Sequence, residues 1–223
     1  MEVTLVIILI AVIGIAVFSN YLQKKKNEEN QRLAALQGYS YHPSYPSLAK
    51  QVVAAVQGGH ESRRFSMVFE GEKEGMPFLA GTARWTVTTG SGKNRSSRTY
   101  YRKVAMIPCR LNVHEVRIQK ENFFNNIFNR DLKTEWEQFN EAWKLSGSDP
   151  RFVHALLDQQ MQQWFMTHRD KNFMLGEGWL YIYDEGKLEY EELDHYLEIA
   201  REFRERVPAF VWEDYGTTPP PAR

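Results

Sequence analysis

The sequence predicts an α+β domain, an antiparallel sheet packed with two principal helices, carried behind one membrane-spanning helix. Three observations predict it. The chain opens on an unbroken apolar run, Val3–Phe18, closed by Lys24, Lys25 and Lys26. From Phe65 onward, short segments of period two follow one another closely, the pattern of an antiparallel meander. From Asp149 onward the apolar period lengthens to that of helices. Strands first and helices later is α+β order, not βαβ alternation.

The apolar run sets the location. About 20 helical residues at roughly 1.5 Å each cross a ~30 Å hydrocarbon core, and Ser19–Leu22 extend the run to that length. A cleaved signal peptide would need a basic start, but Glu2 is the only charge there. It would also need a small-x-small cleavage site, where the chain has Phe18-Ser19-Asn20-Tyr21. The expectation is therefore an uncleaved anchor over residues 1–23, with Tyr21 at headgroup level. Positive charge stays on the cytoplasmic side, so Lys24–Lys26 predict an N-out, single-pass protein of the bacterial inner (plasma) membrane.

About 200 residues follow, enough for one domain with a sizeable core. Aromatic residues make up 13% of the chain, which excludes a disordered tail. Cys109 is the only cysteine, so no intramolecular disulfide forms. The 28 basic and 28 acidic residues cancel, but they are segregated. Arg63 to Lys120 holds 12 Lys/Arg against 4 Asp/Glu, whereas Asp170 to Tyr215 holds 5 against 13. Two readings follow: surfaces that attract each other in the fold, or a basic segment that faces phosphates.

The elements come in order. Lys24–Gln37 continues the anchor helix and ends at Gly38, a C-cap. Tyr39–Pro46, with two prolines and three tyrosines, reads as a linker, so residues 24–46 form a juxtamembrane helix and linker. The domain, residues 47–215, starts at Ser47, which caps a helix over Leu48–Val56. Strands follow at Phe65–Glu70, Phe78–Thr88, Tyr100–Ile107 and Val113–Ile118. In the second, Leu79, Ala83, Trp85 and Val87 alternate with Thr82, Arg84 and Thr86, which marks one wet face. Gly90–Ser97 is a hairpin loop. Glu121–Asn129 is an amphipathic turn or helix, and Glu135–Leu145 reads as a strand. Asp149-Pro150 starts a helix over Arg151–Thr167. Asn172–Leu175 and Trp179–Tyr183 form a hairpin. The last helix, Tyr190–Arg206, stops at Pro208, and residues 216–223 are a disordered tail.

Several pieces follow in order along the chain: the apolar run with its basic flank, Tyr39-x-Tyr41-x-Pro43-x-x-Pro46-Ser47-Leu48, Phe139-Asn140-x-x-Trp143-x-Leu145, Asp149-Pro150-Arg151-Phe152, Met161 and Val207-Pro208-Ala209-Phe210-Val211-Trp212. Their order resembles that of an uncharacterised family of bacterial, mainly actinobacterial, single-pass membrane proteins. The resemblance implies topology and domain extent. It implies no activity, substrate or catalytic residue.

No motif assembles a reaction. Gly90-Ser91-Gly92-Lys93 echoes a phosphate loop, but Val87 stands where its first glycine belongs and Asn94 follows the lysine. Cys109 and His114 have no third orienting group. His154 and His168 lie 14 residues apart on one helix, roughly 21 Å, too far to share a metal. Glu191, Asp194, His195 and Glu198 line one side of the last helix, as a solvated face does. The expectation is no catalytic residue, no cofactor and no metal.

The densest basic cluster after the anchor is Lys93, Arg95, Arg98, Arg102 and Lys103, with Tyr100 and Tyr101 among them. Nucleic acid would suit such a cluster, but the anchor holds it beside an anionic leaflet, where each exposed cation contributes ~1 kcal/mol. The expected partners are anionic lipid headgroups or an acidic protein. The chain is expected to be a membrane-tethered cytoplasmic interaction module. The alternative is a hydrolase or transferase whose site gathers residues distant in sequence.

Overall fold

The computed structural model describes residues 2–120 and 132–217, with the side chains of residues 2–11 and of Lys93 outside the described set. The expected turn or helix at Glu121–Asn129 and residues 218–223 of the expected tail lie outside the described residues. In chain order, α1 (Glu2–Leu36) leads into β1 (Ser40–Ser44), α2 (Pro46–Ala55), β2 (Glu61–Lys73), β3 (Met76–Thr89), β4 (Ser96–Pro108) and β5 (Glu115–Lys120). Then come α3 (Glu137–Ala142), β6 (Trp143–Gly147), α4 (Pro150–Leu156) and α5 (Gln159–Thr167). The chain closes with β7 (Asn172–Gly176), β8 (Trp179–Glu185), α6 (Leu193–Arg206) and α7 (Ala209–Tyr215).

The strands form one eight-stranded antiparallel sheet in the order β1-β2-β3-β4-β8-β7-β5-β6. Its two faces bury different cores. On one face α2 lays Val52, Val53 and Val56 over Phe65, Ala83, Trp85 and Val104. On the other, α3 to α7 pack Phe139, Trp164, Phe165, Leu197 and Phe203 against Ala105, Ile107, Ile118, Phe173 and Ile182. The α+β class is thus observed, and Ala83 and Trp85 are buried under α2 while Thr82 and Arg84 face the other way, but that second face is not the wet one expected: Phe78 and Ala80 pack into the other core, and buried Thr82 accepts from Leu188 N at 3.0 Å.

β2 departs from strict alternation. Its register with β3 shifts between Ser66 and Phe69, where Met67 adopts φ 53°. This bulge turns Phe65 and Val68, three residues apart, toward the same core.

Other expectations need correction. Tyr39–Pro46 is not a linker, because Ser40–Ser44 pairs with β2 as an edge strand from Ser40↔Glu70 to Ser44↔Ser66. Proline fits there because an edge strand leaves donor positions unused. The α2 helix starts one residue before Ser47, at Pro46, with Tyr45 at the cap position and no side-chain cap. The fourth strand does not continue the meander: β8 pairs with β4, and β5 lies between β7 and β6. Glu135–Leu145 is mostly not a strand. Asn140 bonds Thr134 through both its amide nitrogen and oxygen, at 2.8 Å each, and holds a turn at the start of α3. The helix expected over 151–167 is two. Asp149 caps α4 as read, accepting from Arg151 N at 2.9 Å, but Asp158 caps a second helix by accepting from Met161 N at 2.8 Å. Pro208 ends α6 and opens α7.

α1 is a continuous helix of 35 residues that ends where Gly38 adopts φ 75°. Among the described residues no helix is long and apolar enough to cross a membrane. Residues 3–11 of the expected span fall on side chains outside the described set. The described remainder, Val12 to Leu22, is exposed all round, with Ile15 at 70% and Phe18 at 61%.

Candidate functional site: the basic end of the sheet

α1 is seated on the domain. Tyr39 N donates to Ala34 O at 2.9 Å, and Tyr41 Oη donates to Asn27 Oδ1 at 2.9 Å. Tyr190 Oη donates to Leu33 O at 3.3 Å, and Lys26 pairs with Glu189. Ala34 is fully buried and Asn30 nearly so.

These contacts give the sheet a direction. From Tyr39, just before β1, to Tyr41 within it, the contacts on α1 move back from Ala34 to Asn27, toward the apolar run. β1 therefore heads toward the apolar end of α1, and β3, antiparallel to β2 as β1 is, heads the same way. The β3–β4 hairpin lies at that end, and the β2–β3 turn at the opposite one. Thr82 is level with Ser66 and hence with Ser44. From Thr82 to Thr89 the strand advances roughly 23 Å, while α1 from Asn27 to Leu22 advances roughly 7.5 Å.

Strand parity divides the five hairpin cations. Arg98 and Arg102 lie on the α2 face. Arg98 sits 5.2 Å from the Tyr100 ring, which stacks on Trp85 at 5.5 Å, and Arg102 sits 5.6 Å from Trp85. Arg102 also pairs with Glu185 at 3.2 Å, and its side chain is 14% exposed. Lys103 points to the opposite face and pairs with Glu192. Arg95 and Arg98 are exposed at the tip. The side chain of Lys93 lies outside the described set. Of the lysines expected to flank a membrane, Lys24 forms a 3.9 Å pair with Glu28, Lys25 is exposed and Lys26 joins the seam.

The charge segregation resolves into ion pairs. Lys73–Asp194, Arg102–Glu185, Lys103–Glu192 and Lys120–Asp184 each join the basic segment to the acidic one. Attraction within the fold accounts for these four cations. Arg117 is used differently: it donates to Ala55 O and Ala54 O at the C-terminus of α2 and pairs with Glu115 at 2.7 Å.

A second group of cations escaped sequence reasoning. In register across three strands stand Arg64, Arg84 and Tyr101. Gly186 N donates to Tyr101 O at 3.2 Å, and the next residue, Lys187, places its ammonium 4.6 Å from the Tyr101 ring. The Arg84 guanidinium is 6.0 Å from that ring. The only local signal was the alternation Thr82, Arg84, Thr86. Its partners come from β2 and from the segment after β8.

The remaining candidates separate. Cys109 is buried, and burial pushes its thiol up to about 12, so it stays protonated; His114 is exposed. Gly92–Asn94 form a 3-10 turn between two strands, without the strand-to-helix setting of a phosphate loop. Asp194 pairs with Lys73 at 2.6 Å, and Glu198 pairs with Arg201. A groove of about 480 Å³ between the β2–β3 turn and α6–α7 has Met76, Leu197 and Trp212 beside Arg201 and Arg204.

No family model matches the chain, and no curated protein matches it. Its fold is similar to that in the crystal structure of the mycobacterial trehalose monomycolate transport factor A, TtfA. The TM-score is 0.59 over 87% of this chain and 98% of that one, at 11% identity. At that identity the likeness shows a shared fold.

Proposed function

We propose that the chain is a membrane-tethered interaction module, anchored through Val3–Phe18, with its α+β domain on the cytoplasmic side and its β3–β4 hairpin against the anionic leaflet. The observation that carries this reading is directional: from the α1–β1 seam, the hairpin and the apolar part of α1 extend the same way. A floppy linker would leave the hairpin free to face anywhere. A seated α1 holds it toward the bilayer. The apolar, uncovered surface of Val12–Leu22 suits lipid, and Lys24–Lys26 suit the inner headgroups. Arg95 and Arg98, exposed at the tip, supply attraction there, and Tyr100 beside them has the amphipathic ring of an interfacial residue.

The fold shared with a transport factor supports a role as an accessory to transport at the membrane, in which the domain presents a surface and performs no reaction. Hydrogen exchange on the full chain in nanodiscs tests the reading. Amides of residues 90–98 should be protected in anionic discs, not in zwitterionic ones, and protection should fade with salt as the Debye length shrinks to about 3 Å at 1 M. Equal exchange in both discs would overturn the docking.

A further inference from the structure

We propose that Arg64, Arg84 and Lys187, gathered round Tyr101, form a binding site for the phosphate of an anionic membrane lipid, and that it prefers a phosphomonoester to a phosphodiester. The inference rests on the reading above, that this end of the sheet meets the membrane. It names different residues from the hairpin tip, on the face that also carries α1.

The argument begins with an imbalance. Arg64 and Arg84 are direct cross-strand partners, and like charges in that position repel. Lys187 adds a third cation at the same tyrosine ring. Among the described residues, no carboxylate pairs with any of the three. Carboxylates on β2, on β8 and just before α6 have other partners. Glu61 accepts from Thr88 Oγ1 at 2.6 Å, Glu192 is held by Lys103, and Asp184 lies 3.4 Å from Lys120. Arg84 Nε is moreover buried with no acceptor. A donor that has lost water and gained no partner is costly to keep. An anion seated between the two guanidinium groups relieves the repulsion and offers that face its acceptors.

The chemistry of the anion follows from the charge. A phosphomonoester carries about −1.5 to −2 at neutral pH and presents three acceptor oxygens. A phosphodiester carries one charge and presents two free oxygens. Three cations, two of them planar forks suited to phosphate, match the former better. Lipid is the source the geometry favours, because the row lies on the α1 face and toward the end of the sheet at which the apolar helix points.

The test uses the full chain in a neutral detergent, titrated with monomeric dihexanoyl phosphatidic acid, dihexanoyl phosphatidylglycerol or inorganic phosphate, with binding read from the rise in melting temperature. Phosphatidic acid should raise it at concentrations where phosphatidylglycerol does not. Arg84→Gln should weaken the apparent affinity about tenfold, the loss of one charge-assisted contact. Arg64→Gln and Lys187→Gln, at exposed positions, should do the same without disturbing the fold, whereas Lys50→Gln, exposed on α2 across the sheet, should not. Equal response to both lipids, or full response in Arg64→Gln and Lys187→Gln, would overturn the site. Inorganic phosphate binding as tightly as phosphatidic acid would overturn the lipid assignment. Failure here with hairpin amides still protected in anionic nanodiscs would remove this site and leave the docking intact.

Discussion

Tyr41 Oη donates to Asn27 Oδ1 at 2.9 Å and so joins the edge strand of the sheet to the helix that carries the apolar run. Asn30 Nδ2 approaches the same hydroxyl at 3.4 Å. One tyrosine therefore bonds two consecutive turns of α1. This seam fixes the direction of α1 relative to the sheet.

Tyr41→Phe keeps the ring against Phe69 and removes only the hydroxyl. It should cost about 1 kcal/mol and speed amide exchange in residues 24–36 while the central strands stay protected. Unchanged exchange in that segment would mean that the seam does not hold the helix.

Trp164 lies among Phe165, Phe173 and Phe203 and donates Nε1–H to Glu202 Oε2 at 2.6 Å. Trp164→Ala should destabilise the domain by ~3–5 kcal/mol in denaturant titration, as large-to-small core changes do. Trp164→Phe, which keeps most of the packing, should cost less. An unmoved midpoint for Trp164→Ala would place the residue outside the core.

The ion pair at the start of α6 predicts an acid response. Burial alone would raise the Glu192 pKa, but the hydrogen bonds from Lys103 and from Glu189 N–H outweigh it, and the carboxyl lies below its ordinary value. A depressed folded pKa contributes stability in full above the unfolded carboxylate value of about 4.3, and that contribution is lost as pH falls through the lower folded value. Lys103→Gln should flatten this part of the stability profile between about pH 6 and 3. A profile identical to the parent's would mean that the pair contributes nothing.

A reporter fused after Arg223 should behave as cytoplasmic, with alkaline phosphatase inactive there. Replacing Lys24–Lys26 with glutamate should scramble that orientation. Phosphatase activity in the parent fusion would reverse the topology.

Much of the fold was legible where a local signal fixes a local structure. Asp149-Pro150 starts a helix because a capping carboxylate and a proline at the first turn are both satisfied within three residues. The Gly176–Gly178 turn between apolar segments gave the β7–β8 hairpin. What escaped depends on distant partners. Ser40–Ser44 looked like a linker because only pairing with β2 makes it a strand. No local pattern tells that β8 returns to β4 and displaces β5. Asp158 breaks a helix whose apolar period runs on through it, since a cap and a solvated carboxylate read alike. The candidate site divided the same way. The hairpin cations stood out as a run, yet pairing with Glu185 and Glu192 engages Arg102 and Lys103. Arg64, Arg84 and Lys187 come from three places in the chain, and register alone brings them together.

The central claim is that the β3–β4 end of the sheet faces the bilayer and the β2–β3 end faces away. The strand from Pro77, level with Glu72, to Thr89 spans twelve steps, roughly 40 Å, so the two ends are well separated. Nitroxides at Ser91→Cys and Glu72→Cys, both exposed positions, report on them separately while Cys109 stays buried. In full-length protein reconstituted into vesicles with nickel-chelating headgroups, the account predicts strong relaxation enhancement at position 91 and little at position 72. Enhancement at position 72 equal to or greater than that at position 91 would contradict it.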